Sequence, residues 1–154
     1  MPGLAEIIAA EADVVSAFVL LLKEEQAALK LGEAEVLPKI IERKSATVDE
    51  LAPLSTARNA ALAGAGLASD RAGIEAWLKK HPNDKAVRQN WEKLQFLAAE
   101  AKELNRVNGE LVGLHMRHNT EILESLRSKA NRQDLYGANG QTAFTAPRKI
   151  IDSA

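Results

Sequence analysis

A chain of 154 residues with 46% apolar content has room for one domain and enough apolar surface to bury a core. A formal net charge of −1 argues against a nucleic-acid binder working by bulk charge, and the lack of cysteine excludes disulfides and thiolate metal sites. Alanine and leucine dominate, β-branched runs are rare, and two tryptophans, three phenylalanines and one tyrosine are the only aromatic residues. This composition predicts an all-α protein. The longest apolar run, Val14 to Leu22, is interrupted by Ser16 and is too short to span a bilayer. With no basic start leading to a small-residue cleavage site, the expectation is a cytoplasmic protein without direct membrane insertion.

Residues 4–31 read as the first helix. Ile8, Val15, Leu22 and Leu29 repeat on one face, widened by Ala12 and Val19, and Gly32 is a natural stop. A second helix is predicted from Glu35 to Ala63, with Pro38 in its first turn, where a missing N–H has no intrahelical partner. Ile40, Ile41, Val48, Leu51 and Leu54 supply its apolar face. Pro53, costing about 3 kcal/mol inside a helix, predicts a kink or break near Glu50. Gly64, Gly66 and Ser69 mark a connection; Ser69 is a candidate cap for a short third helix through Ile74, Ala76, Trp77 and Leu78, closed by His81-Pro82.

The fourth helix is predicted from Asn83 to Asn131, about 45 residues or roughly 70 Å, with Asn83 or Asp84 as its cap. A helix this long is expected to project in part beyond its neighbours. Stepping by four and three from Leu97 gives Ala101, Leu104, Asn108, Leu111, His115, His118 and Ile122. The first half of that stripe suits an intramolecular core. Its second half is interrupted by Asn108, His115 and His118. After Asn131 the period fails, so the chain reads as an antiparallel helical bundle over 1–131 and a flexible tail over 132–154.

No enzyme constellation can be assembled. His115 and His118 lie three apart, but the Glu-x-x-His pairs of a di-iron bundle and the His-Glu-x-x-His run of a zinc protease are both missing. Gly137-Ala138-Asn139-Gly140 follows no strand and leads to no Gly-Lys-Ser/Thr, so it is not a phosphate loop. The expectation is a binding protein with no cofactor.

Two stretches exceed what a plain bundle requires. In Asn105-Arg106-Val107-Asn108-Gly109-Glu110-Leu111-Val112, two asparagines and a glycine lower helix propensity within five residues. Either the asparagines bond to a neighbouring helix and the glycine allows close approach, or the stretch serves a partner. In Leu135-Tyr136-Gly137-Ala138-Asn139-Gly140-Gln141-Thr142, the only tyrosine is set beyond the expected helix end, as a docking anchor or as a residue folded back on its own bundle.

These stretches carry a family resemblance. Glu24-Glu25-Gln26-Ala27-Ala28-Leu29 followed by Gly32, with Leu37, Lys44, Leu51 and Arg58, is similar to the first two helices of the FlgN-type flagellar export chaperones. Asn105 to Val112 resembles the family's Asn-x-x-Asn-Gly-x-Leu-Ile stretch, with Val112 for isoleucine. Leu135 to Thr142 resembles its Leu-Tyr-Gly-Pro-Asp-Gly-Gln motif, with Ala138 for proline and Asn139 for aspartate. The resemblance implies a small cytoplasmic helical chaperone of the flagellar type III export system. Such a chaperone binds the C-terminal segment of the hook–filament junction proteins (hook-associated proteins 1 and 3), prevents premature assembly, and docks on the cytoplasmic domain of the export gate. The family's gate-docking tyrosine maps onto Tyr136. For the client the expected surface is the polar and apolar stripe Asn105, Asn108, Leu111, Val112, Leu114, His115, His118, Ile122 and Leu126, since a half-apolar helix can take an amphipathic segment. The rival reading is a structural or regulatory coiled-coil adaptor unrelated to export.

Overall fold

The computed structural model describes residues 2–136, with side chains described as far as residue 132. Among the described residues there are four α-helices, one short 3-10 turn and no strand. The first helix, α1, spans Leu4–Leu31 as its apolar spacing predicts. Gly32 ends it in the left-handed conformation (φ 72°), and the N–H groups of Gly32 and Glu33 both donate to the Ala28 carbonyl. A Cβ at that φ is strained, which is why glycine stands there.

A 3-10 turn over Ala34–Val36 leads into α2, Leu37–Gly64, which holds Pro38 in its first turn. The predicted break near Glu50 does not occur: α2 runs unbroken through Pro53. Asp49, Glu50 and Pro53 are all exposed. The Asp49 carbonyl that loses its N–H partner to proline thus lies on the wet side of the helix, where water can satisfy it.

The short α3, Arg71–Lys80, is capped by Asp70 rather than Ser69. Asp70 Oδ1 accepts from the Gly73 N–H at 3.0 Å, while Ser69 Oγ donates to the Asn59 carbonyl at 3.4 Å. A side chain at position 73 would drive into the carbonyl of Ala68, so this first turn requires glycine. Between α3 and α4, Trp77 stacks on His81 (ring centroids 4.0 Å apart) and its Nε1 donates to Asp84 Oδ2. Asp84 also caps α4 through Oδ1, which accepts from the Val87 N–H at 3.1 Å. Helix α4 runs Lys85–Tyr136. It passes the expected end at Asn131 and takes in Tyr136, the last described residue, and the motif residues Gly137 to Thr142 lie outside the described residues.

By its contacts the chain divides into two compact units, Met1–Leu111 and Val112–Ala154. In the first unit, α1, α2 and the N-terminal part of α4 form an up–down–up bundle. Glu24 pairs with Arg43, Glu25 with Lys44 and Glu11 with Arg58, so α1 and α2 are antiparallel. Asn90 Nδ2 donates to the Ala5 carbonyl and Asn108 Nδ2 to the Leu22 carbonyl, so α4 runs parallel to α1. Leu4, Ile8, Ala12, Val15, Val19 and Leu22 of α1 form one core with Leu62, Ile74, Val87, Leu94 and Ala101. Each valine, leucine or isoleucine side chain buried in full contributes on the order of 1.5–3 kcal/mol.

Two polar clusters enter that bundle. The Glu11 side chain is buried on α1, where Arg58 donates to both carboxylate oxygens (2.8 and 3.0 Å) and Ser55 Oγ donates at 3.2 Å. The Arg58 guanidinium also lies over the Trp91 ring of α4, 5.5 Å from its centroid. Burial raises the Glu11 pKa above the ordinary carboxylate value, and the charge of Arg58 with the bonds from Ser55 and Arg58 opposes that rise. The second cluster belongs to the stretch singled out in the sequence.

Candidate partner-binding surface

Asn108 is 2% exposed, in the middle of the Asn105–Val112 stretch. Its Nδ2 donates to the Leu22 carbonyl and to Glu25 Oε1, both at 2.9 Å. Lys44 Nζ donates to both oxygens of the same Glu25 carboxylate at 3.1 Å and lies 5.8 Å from the Phe18 ring centroid. One glutamate of α1 thus takes a lysine from α2 and an asparagine amide from α4. The Asn108 NH2 group has exchanged water for a carbonyl and a carboxylate, which offsets its own burial, whereas Asn108 Oδ1 is buried with no hydrogen-bond partner among the described residues. Asn108 therefore makes the interhelical bond anticipated for the stretch. Asn105 is exposed and Leu111 is half-buried.

Gly109 does not serve close approach: a Cβ built there has nothing within 4 Å. Beside it, Arg106 is clasped on the helix surface by Glu103 and Glu110 (2.7 and 2.6 Å). The Arg106 guanidinium holds the Glu103 carboxyl below the usual carboxylate range, mainly through its hydrogen bonds.

The second unit opens at Val112. From there to Arg132 its described part is α4 alone, and no large apolar side chain is buried. Leu114 is 53% exposed, Ile122 44% and Leu126 58%, and Val112, Met116 and Leu123 are exposed as well. His115 and His118 are also exposed. Spacings of three and four place His115, His118, Ile122 and Leu126 along one face of the helix, with Leu114 at its margin. Met116 and Leu123 were missed by stepping four and three from Leu97. Stepping four from Val112 and then seven would have found them, since Met116 lies four after Val112 and Leu123 seven after Met116. Of the residues assigned to the client surface, this unit holds Val112, Leu114, His115, His118, Ile122 and Leu126 exposed, whereas Asn108 is committed inside the first unit.

Among the described residues no three His, Asp or Glu side chains converge to hold a metal ion. No helix among them is long and apolar enough to cross a membrane. What this part of α4 offers is exposed apolar side chains on a regular helical scaffold.

Comparison with known proteins agrees with the motifs. The chain is 27% identical to the Flagella synthesis protein FlgN of Escherichia coli (strain K12) over 150 residues, covering 94% of each chain. It is 31% identical to the protein of the same name from Proteus mirabilis over 134 residues, covering 84% of each. No solved structure matches significantly. The model of the FlgN protein family matches residues 1–143, nearly the full length, and the chain belongs to the FlgN family.

Proposed function

We propose that this protein is a cytoplasmic export chaperone of the flagellar system. It holds the C-terminal segment of a hook–filament junction protein, hook-associated protein 1 or 3, and delivers it to the cytoplasmic domain of the export gate. The observation that carries the reading is the run of exposed apolar residues in the second unit, Leu114, Ile122 and Leu126 above all, on a helix otherwise well formed. The relatives' shared name, Flagella synthesis protein, supports the setting. An amphipathic client helix laid on this face would bury both apolar surfaces and keep the client from self-association. Release at the gate requires moderate affinity, on the order of micromolar or about −8 kcal/mol. Tyr136, in the last described turn of α4, is the proposed gate anchor, since an amphipathic ring with few rotatable bonds loses little entropy on docking.

One paired titration tests both assignments, against purified junction protein and against the gate domain. Ile122→Asp with Leu126→Asp is expected to weaken junction-protein binding by about thirtyfold or more, because each carboxylate would be desolvated against an apolar partner. Both positions are exposed, so far-UV circular dichroism should remain that of the parent. Tyr136→Ala should leave client affinity within about twofold and weaken gate capture roughly thirtyfold. A folded double variant that binds junction protein unchanged rules out this face; a Tyr136→Ala protein that loses client and keeps gate binding reverses the two roles. Binding of neither partner by the parent chain would favour the coiled-coil adaptor.

A further inference from the structure

Glycine inside an α-helix is costly unless packing or a turn demands it. Helix α4 has two, Gly109 and Gly113, one turn apart, and neither demand is present. A Cβ at Gly109 meets open space, and one at Gly113 meets only Arg117 Nη1 at an ordinary 3.7 Å. Both are helical, and neither has a positive φ. Their position coincides with two other boundaries. Asn108, the last buried residue of α4 among the described side chains, fastens the helix to α1 one residue before Gly109. The division between the two compact units falls between Leu111 and Val112, inside the interval that the glycines bracket.

From these coincident observations we infer that α4 flexes at Gly109–Gly113. The helix is held fast as far as Asn108, and its continuation can change direction to suit what it binds. Glycine lowers the cost of distorting the helical backbone, and a segment with few tertiary contacts is where local opening is easiest. The Arg106 clasp with Glu103 and Glu110 spans Gly109 and reinforces the helix as far as Glu110, so the softest part of the interval is its Leu111–Gly113 end. Residues 112–132 thereby present their apolar side chains in an orientation set by a partner, while the bundle keeps its packing.

Because the chain has no cysteine, two introduced ones are unique labelling sites. Lys102→Cys and Lys129→Cys, both at exposed positions, carry spin labels about 40 Å apart on a straight helix. Their distance distribution, measured by pulsed electron resonance on the full chain, is expected to be broad. Gly109→Ala with Gly113→Ala should collapse it to a narrow peak near that value. The same pair should slow amide exchange over residues 110–116 by about thirtyfold, fivefold for each glycine replaced. Alanine fits both positions, so the variant folds. A narrow distribution in both proteins overturns the flexure; an equally broad one in both removes the glycines as its cause and overturns the inference too.

Discussion

Arg58→Met is expected to destabilise the bundle by about 3–5 kcal/mol at neutral pH, because it leaves the Glu11 carboxylate buried without its counter-charge. Glu11 is 2% exposed, and Arg58 supplies two of the three bonds it accepts. The pH dependence follows from the direction of the shift. Burial holds the folded pKa of Glu11 above its ordinary value of 4.5. The proton is therefore bound more tightly in the folded state, which gains stability below about pH 4.5 and loses it as pH rises through the folded value. Without Arg58 the folded value climbs further, so the deficit of the variant should be largest near neutrality and shrink toward pH 4.5. Urea unfolding at a series of pH values measures this. Glu11→Met with Arg58→Met should recover most of the loss, since methionines can fill the site without a charge to bury. A single-variant deficit under about 1 kcal/mol would show that solvent reaches Glu11.

The same truncation at two leucines should separate interior from offered surface. Leu22 is fully buried, so Leu22→Ala removes core contacts and leaves a cavity, at about 2.7–5 kcal/mol. Leu126→Ala should change stability by no more than about 0.5 kcal/mol, because the residue is already in water. Denaturation midpoints of the two variants at matched pH decide it. A Leu126→Ala loss comparable to that of Leu22→Ala would mean that this face is packed in the isolated protein and is not open to a partner.

Much of the fold is legible in the sequence because helix periodicity is a local code. Ile8, Val15, Leu22 and Leu29 announce the buried face of α1, and Gly32 its end, with no tertiary information needed. Pro53 misleads because its cost depends on whether the orphaned carbonyl faces protein or water, and only the packed bundle decides that. The cap of α3 could be Ser69 or Asp70 by residue type alone; the backbone geometry that brings a carboxylate to the Gly73 N–H selects Asp70. The candidate surface is legible in part. A polar interruption at Asn108 looks the same in sequence whether it faces a partner or a glutamate of a distant helix, and Glu25 is 83 residues away. Leu114, Ile122 and Leu126 are legible as apolar, whereas their exposure depends on what packs beside them.

The bonds of Glu25 also set an order of assembly. Its link to Lys44 closes a loop of 19 residues, whereas the bonds of Asn108 and Asn90 to α1 span 83 to 86. About two doublings of loop length separate these closures, on the order of 1 kcal/mol more entropy to lose. The α1–α2 hairpin should therefore form first, with α4 docking afterwards onto a groove that already exists. A docking attempt displaced by one heptad brings Ala101 or His115 to the place of Asn108 and leaves the asparagine amide without its carbonyl and carboxylate. Such an alignment keeps apolar contact but loses two hydrogen bonds to a buried polar group, so it is less stable than the native one. The amide of Asn108 in this way favours one alignment of α4 on α1 over a register displaced by a heptad.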